Sequence, residues 1–217
     1  MNDEIDNLRI DYKKATLSSH ELNTNPIEQF KHWFNKALKL NIKDVNAMVL
    51  STVSSEGIPS GRVLLLKGIN SLGFTFFTNY NSSKAKDISF NPSVSMTFFW
   101  PELEQQIRIY GKVTKLDAKD SDAYFDSRPK ESQISALASD QSSKIDDRSN
   151  LENEIIRLKK LYKNSNVPRP EYWGGYSFTP KYFENRIVCR RDFPNFVVFK
   201  RESDSESEDN FSPSNLS

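Results

Sequence analysis

Cysteine is almost absent: Cys189 is the only one in 217 residues. A single thiol excludes an intrachain disulfide framework and any cysteine-cluster zinc or iron–sulfur site. Histidine is nearly as scarce, with His20 and His32 alone, so a multi-histidine metal centre lacks ligands. Long apolar runs are missing too, and none approaches the ~18 residues that a membrane span needs. The opening MNDEIDNLRI carries acids where a signal peptide has a basic region and an apolar core. These absences predict a soluble protein of a reducing compartment, the cytoplasm, with no membrane as partner.

Bases and acids nearly balance, 30 against 29, but unevenly along the chain. Residues 202–217 hold five acids, six serines and no Lys or Arg. Removing those five acids leaves 30 bases against 24 acids, a net +6 on residues 1–201. The tail has too little apolar area to offset its ordering entropy and is expected to be disordered. Its serines among acids are candidate phosphorylation sites; the plainer reading is a solvated terminus. Residues 1–24 are polar and expected to form a flexible arm, which leaves 25–201 as the folded domain. A mildly basic body suits anionic ligands, with an excess too small for nucleic acid.

What is present has a clear rhythm. Asn25-Pro26 predicts a helix start, followed by Ile27, Phe30, Phe34 and Leu38 at helical spacing. NAMVLSTVS (46–54) predicts a strand and SSEGIPSG (54–61) a turn. RVLLLKGI (62–69) predicts a second strand, its continuous apolar run implying burial on both faces. GFTFFTN (73–79), VSMTFFW (94–100) and QQIRIYGKVTKL (105–116) supply three more. Helices are predicted from Ser82 to Asn91-Pro92, after Asp117, and after the capping box Ser149-x-x-Glu152. VPRPEYWGGYSF (167–178) breaks the last helix and leads into a strand. The class is α+β: a mainly antiparallel sheet closed on itself, with helices packed outside.

Three places carry chemistry. The strand–turn–helix at 74–90 sets Ser82, Ser83 and Lys84 at a helix N-terminus, a composition that suits a phosphate; the bland alternative is an ordinary cap with a solvated lysine. Arg62 and Lys67 bracket the apolar VLLL, and Arg108 follows Gln105 and Gln106 on a strand. Such groups line a polar cleft or simply face solvent. The segment 122–143 gathers Tyr124, Arg128, Ser132, Gln141 and Ser142. Arginine is the preferred bidentate partner of phosphate, and hydroxyls complete such a shell; the alternative is a polar loop between two helices. No nucleophile elbow, catalytic cysteine motif or Walker loop is present, as suits chemistry carried by a bound cofactor.

The order of motifs is more specific than any one of them. N-P-I-E-Q-F-x-x-W-F, G-R-V-L-L-L-K, F-F-T-N-Y-N-S-S-K-A, N-P-x-V-x-M-x-F-F-W, L-E-Q-Q-I-R-I-Y-G, Y-F-D-S-R-P-x-x-S-Q-I, S-D-Q-S-S and P-x-P-x-Y-W-G-G-Y follow one another over residues 25–184. This succession resembles the pyridoxamine 5′-phosphate oxidase family. The resemblance implies an FMN-binding split β-barrel with peripheral helices, working as a homodimer with FMN in clefts between the subunits. It implies oxidation of pyridoxamine or pyridoxine 5′-phosphate to pyridoxal 5′-phosphate, a step of vitamin B6 metabolism. The flavin takes a hydride and passes the electrons to dioxygen, giving hydrogen peroxide. Carried over by position, the FMN shell is Arg62, Val63, Leu64, Leu65, Phe77, Thr78, Ser83, Lys84, Gln106, Gln141 and Ser142. The substrate phosphate shell is Lys67, Tyr124, Arg128 and Ser132.

The chain departs from the family pattern in two ways. Phe77 and Ser83 stand where the family commonly has Tyr and Arg, and the lost cation weakens a buried phosphate contact by roughly 1–3 kcal/mol. After Glu184, Arg186 replaces a flavin-contacting Trp, Asp192 and Pro194 replace substrate-contacting Arg and His, and Phe196 replaces a flavin-contacting Arg. A one-residue gap would set Arg191 at the first of those arginines. The family's final strand and its R-L-x-P ending are also expected to be missing. Two alternative functions follow: a non-catalytic FMN or pyridoxal 5′-phosphate binder, and a split-barrel flavin oxidoreductase with another substrate.

Overall fold

The computed structural model describes residues 23–138, 148–187, 196–201 and 211–215. Asn25 caps the first helix: its side-chain oxygen accepts from the backbone N–H of Ile27 at 2.9 Å and of Glu28 at 3.3 Å. Helix α1, Pro26–Lys39, then buries Ile27, Phe30, Trp33 and Ala37. Leu38, expected on that stripe, is 46% exposed. Ala37 follows Trp33 by four residues and occupies the buried row, which turns Leu38 outward. The Phe30 ring fills the sheet interior, with centroids 4.9 Å from Phe74 and 5.0 Å from Phe98.

The strands are β1 (Ala47–Val53), β2 (Pro59–Leu65), β3 (Gly68–Ile69), β4 (Phe74–Asn79), β5 (Ser93–Trp100), β6 (Gln105–Lys115), β7 (Trp173–Ile187), β8 (Phe196–Arg201) and β9 (Phe211–Asn215). They form one antiparallel sheet in the order β2-β1-β5-β6-β7-β4-β3, with β8 and β9 branching from β7. The branch exists because β7 is long. Its first half, to Phe178, pairs with β4, and Tyr182–Arg186 pairs with β8. The sheet curls into a half-barrel around Met48, Leu50, Phe76, Met96, Ile107, Ile109 and Phe178. Strand β2 approaches β4 without a shared ladder, so the barrel is split along that seam.

Four expectations are corrected. The turn after β1 is tighter than 54–61, closing with Ser54 N–H to Ile58 C=O at 3.0 Å, and Pro59 already lies in β2. The apolar run of β2 is not buried on both faces: it forms a sheet edge, with Val63 66% and Leu65 42% exposed. A continuous apolar run does not distinguish a central strand from an edge that another surface covers. Residues 202–217 are not wholly outside the fold, because Phe211–Asn215 pairs with β8 through backbone groups that composition does not report. A closing strand is therefore present where none was expected.

Helices α2 (Ser83–Phe90), α3 (Ala118–Ser127), α4 (Lys130–Ala138) and α5 (Arg148–Leu161) pack outside the sheet. Helix α4 lies in a stretch with no predicted helix, immediately after Arg128-Pro129. Helix α5 includes Arg148, one position ahead of the predicted box. A second core of Phe125, Ile134, Leu158, Val167 and Trp173 joins α3, α4 and α5 to the start of β7, whereas Ile88 of α2 packs in the main core. Among the described residues, no helix is long and apolar enough to cross a membrane.

Candidate functional site

The seam between β2 and β4 opens into a cavity of about 670 Å³. Strand β2 gives it Val63, Leu64 and Leu65, and β4 gives Phe77, Thr78 and Asn79. Helix α3 with Tyr124, the link Arg128-Pro129 and helix α4 with Ser132, Ser135 and Ala136 close it from outside. Lys67 and Trp173 complete the wall. All four residues assigned from the sequence to a substrate phosphate thus share one cavity with five of those assigned to the cofactor. The lining holds two cations, Lys67 and Arg128, and no carboxylate. Asn79, Ser135 and Trp173 were not foreseen; Trp173 carried a signal in its Y-W-G-G setting.

Three aromatic rings form one side of the cavity in near-parallel planes. Phe77 and Tyr124 stack at 3.8 Å with a 16° angle, and Phe77 and Trp173 at 5.6 Å with 13°. The paired glycines after Trp173 make this possible. A Cβ on Gly175 would stand 2.8 Å from the Phe77 ring, and one on Gly174 would collide with the Tyr80 hydroxyl. The Tyr80 hydroxyl in turn donates to the Gly175 carbonyl at 3.0 Å.

Arg62 and Lys84 stand behind the cavity wall rather than in its lining. Lys84, on the first turn of α2, is 7% exposed and its Nζ donates to Thr78 Oγ1 at 3.1 Å. Arg62 Nη1 donates to Thr52 Oγ1 at 2.7 Å and to the Leu50 carbonyl at 3.2 Å. Its Nη2 donates to Ser60 Oγ at 2.8 Å and lies 3.9 Å from Asp87 Oδ2. Burial pushes the pKa of Lys84 down, and the Arg62 charge pushes the same way. Burial lowers that of Arg62 as well, against the opposing pull of Asp87. Two neighbouring cations, one buried and one half-buried, repel each other, a cost that a nearby anion would offset.

The remaining assigned positions are placed as follows. Ser83 opens α2 and is exposed. Ser82, expected as a hydroxyl donor, spends its proton on the Asn79 carbonyl at 2.7 Å. Gln106 lies in register with Phe99 and Arg186. Strand alternation turns it outward, since Ile107 and Ile109 face the core. Gln141, Ser142, Arg191, Asp192 and Pro194 lie outside the described residues.

Arg128 differs from the other cations. Its Nη1 is buried without a hydrogen-bond partner, and its Cζ sits 4.6 Å from the centroid of the Trp173 ring. Burial lowers its pKa, with the Tyr124 hydroxyl opposing. A buried guanidinium donor left open is a costly arrangement that a hydrogen-bond acceptor entering the cavity would relieve.

Residues 34–162 match the family model described as pyridoxamine 5′-phosphate oxidase. A pyridoxine/pyridoxamine 5′-phosphate oxidase of Acaryochloris marina is 46% identical over 180 residues, covering 83% of this chain and 82% of its own. The protein of that name from Leptospira biflexa is 42% identical over 216 residues, 98% of this chain and 100% of its own. That alignment takes in nearly all of the divergent C-terminal segment. Among solved structures, PhzG of Burkholderia lata, in complex with tetrahydrophenazine-1-carboxylic acid, superposes with a TM-score of 0.86 at 24% identity, covering 94% of this chain and 98% of that one. An FMN-binding, pyridoxamine 5′-phosphate oxidase-related protein of Nostoc punctiforme gives 0.68 at 15% identity, covering 93% and 98%. These two likenesses establish the split-barrel fold.

Proposed function

Because this chain belongs to the pyridoxamine 5′-phosphate oxidase family, an FMN-binding family of oxidoreductases, we propose that it oxidises pyridoxamine or pyridoxine 5′-phosphate to pyridoxal 5′-phosphate, with FMN as cofactor and dioxygen as acceptor. One observation carries the reading. Lys67, Tyr124, Arg128 and Ser132 meet in a single seam cavity that also has the β2 and β4 residues on its wall.

The residues present fit FMN. Lys84, buried beside Thr78 on the first turn of α2, and the half-buried Arg62 near it are cations whose pKa values are held down by desolvation. A phosphate there meets both charges at the positive end of the helix dipole. Val63, Leu64 and Leu65 offer apolar surface and backbone groups to the flavin ring. When bound, FMN supplies the acceptor for a hydride from the substrate's reacting carbon and passes the electron pair to dioxygen, released as hydrogen peroxide. The protein's part is placement. Lys67 and Arg128 balance the two charges of the substrate phosphate, and the Tyr124 and Ser132 hydroxyls donate to its remaining oxygens. Fixing the phosphate fixes the distance from the reacting carbon to the ring, a source of large rate gains.

The working unit in this reading is a homodimer. The outward side of the sheet exposes Val49 (40%), Val63 (66%), Phe99 (52%) and Tyr110 (48%). That apolar face continues into the cavity through Val63 and Leu65. A second copy laid on it buries the patch and brings outward residues such as Gln106 to a shared cleft.

The departures at Arg186, Asp192, Pro194 and Phe196 favour a second reading, a binder of FMN or pyridoxal 5′-phosphate without turnover; a flavin oxidoreductase with another substrate is a third. One experiment separates them. The purified, flavin-loaded protein is mixed with pyridoxamine 5′-phosphate in air, and peroxide and pyridoxal 5′-phosphate are assayed. Equal amounts of both support the oxidase. Bound flavin with tight pyridoxal 5′-phosphate and no peroxide supports the binder.

A further inference from the structure

The two half-buried arginines near the cavity are held in opposite ways. Arg62 is surrounded by oxygen: Thr52, Ser60, the Leu50 carbonyl and the Asp87 carboxylate. Arg128 forms no side-chain hydrogen bond or ion pair among the described residues, and its Nη1 is buried and unpartnered. What lies against its guanidinium is aromatic. Its Cζ is 4.6 Å from the Trp173 centroid and 5.6 Å from that of Phe125.

We propose that Trp173 is a positioning residue, whose indole takes the place of a carboxylate and holds Arg128 in the cavity with its charge undischarged and its donors free for the substrate's phosphate. This rests on the reading of Arg128 as a phosphate ligand. An aromatic face attracts a cation without accepting its in-plane N–H groups, so the fork remains available. A carboxylate in the same place would occupy that fork and repel the incoming dianion. The Arg128 pKa, lowered by burial, agrees with a charge that has no acid beside it.

Trp173 is itself firmly held. Its ring is 7% exposed, stacks on Phe77 and meets Phe125 edge-on at 5.2 Å. Its carbonyl accepts from Arg169 Nη1 at 2.6 Å. The backbone of Arg128 is fixed independently, its N–H closing α3 on the Phe125 carbonyl at 3.1 Å. With the backbone pinned at one end, the indole sets the position of the other.

The test compares 4-deoxypyridoxine 5′-phosphate with 4-deoxypyridoxine by calorimetry on the flavin-loaded protein; neither has the oxidisable group. Wild type prefers the phosphorylated ligand. Trp173→Leu loses about tenfold or more of that preference, read as the ratio of the two affinities so that any general loss of binding to the cavity cancels; Trp173→Phe keeps most of it. Full preference in Trp173→Leu overturns the positioning role and leaves the phosphate reading standing. No preference in wild type overturns the phosphate reading and the proposal with it. If the leucine variant does not fold, the wild-type protein decides. The Arg128 side-chain N–H signals, assigned with Arg128→Lys, must be shifted upfield by the indole ring current, and ordinary arginine positions overturn the proposal.

Discussion

Arg62 and Asp87 are joined through a single hydroxyl. Thr52 Oγ1 accepts from Arg62 Nη1 at 2.7 Å and donates to Asp87 Oδ2 at 2.6 Å. Thr52 is 1% exposed, so no water substitutes for it in the fold. The relay fixes where the Arg62 charge stands behind the seam. Thr52→Val leaves an arginine donor and a carboxylate oxygen without their bridge, at a cost of about 1–2 kcal/mol. FMN affinity is expected to fall roughly tenfold, measured by titrating flavin fluorescence. Unchanged affinity would show that Arg62 plays no part in holding the cofactor.

Ser83 offers the opposite change. It is exposed at the start of α2, next to the buried Lys84. Ser83→Arg adds a cation beside the proposed phosphate position and is expected to tighten FMN severalfold, about 1 kcal/mol. The same cation opposes the helix dipole and lowers stability by a few tenths of a kcal/mol. Affinity and melting temperature should therefore move in opposite directions. A variant that melts lower and binds no tighter contradicts the placement of the phosphate.

The apolar outward face makes a separate prediction. Val63→Asp puts a charge where a second copy is expected and removes little from the core, since Val63 is 66% exposed. Light scattering should show a dimer for wild type and a monomer for the variant, with flavin lost alongside. A monomeric wild type that retains flavin would refute the shared cleft.

Tyr176 predicts a pH effect. Its hydroxyl is buried without a partner, and burial pushes its pKa from 10.0 up to about 12. The neutral form is thus favoured in the folded state. The associated stability is present below pH 10 and is lost as pH rises towards about 12, a loss of up to ~2–3 kcal/mol. Tyr176→Phe removes both the ionisation and the unsatisfied hydroxyl. It should be at least as stable as wild type at neutral pH and lose less stability in alkali, as followed by urea unfolding. A parallel pH dependence in the two proteins would contradict this.

The frame was readable where a signal has one physical meaning. Asn25-Pro26 marks a cap and a first helical residue. The Gly pair after Trp173 marks a close approach, here of Phe77 and Tyr80. Other features were hidden because their cause is not local. The Val63–Leu65 run is the same whether the strand is central or an edge. Helix α4 buries only Gln133 and Ile134 and follows a proline, so it has little periodicity to display. Strand β9 is held by pairing with β8, which an acidic, serine-rich composition gives no hint of. Within the site, Lys67, Tyr124, Arg128 and Ser132 were named by resemblance and meet in the cavity. That Arg62 would be tied to Thr52 and Arg128 left on Trp173 depends on side-chain geometry alone.

Electron transfer from a B6 phosphate to a bound flavin is read without intermediary by anaerobic reduction. The yellow protein is mixed with pyridoxamine 5′-phosphate in the absence of dioxygen and its flavin absorbance is followed. The flavin is expected to bleach, with one pyridoxal 5′-phosphate formed per flavin and colour restored on admitting air. A flavin that stays oxidised while the ligand is bound would contradict it.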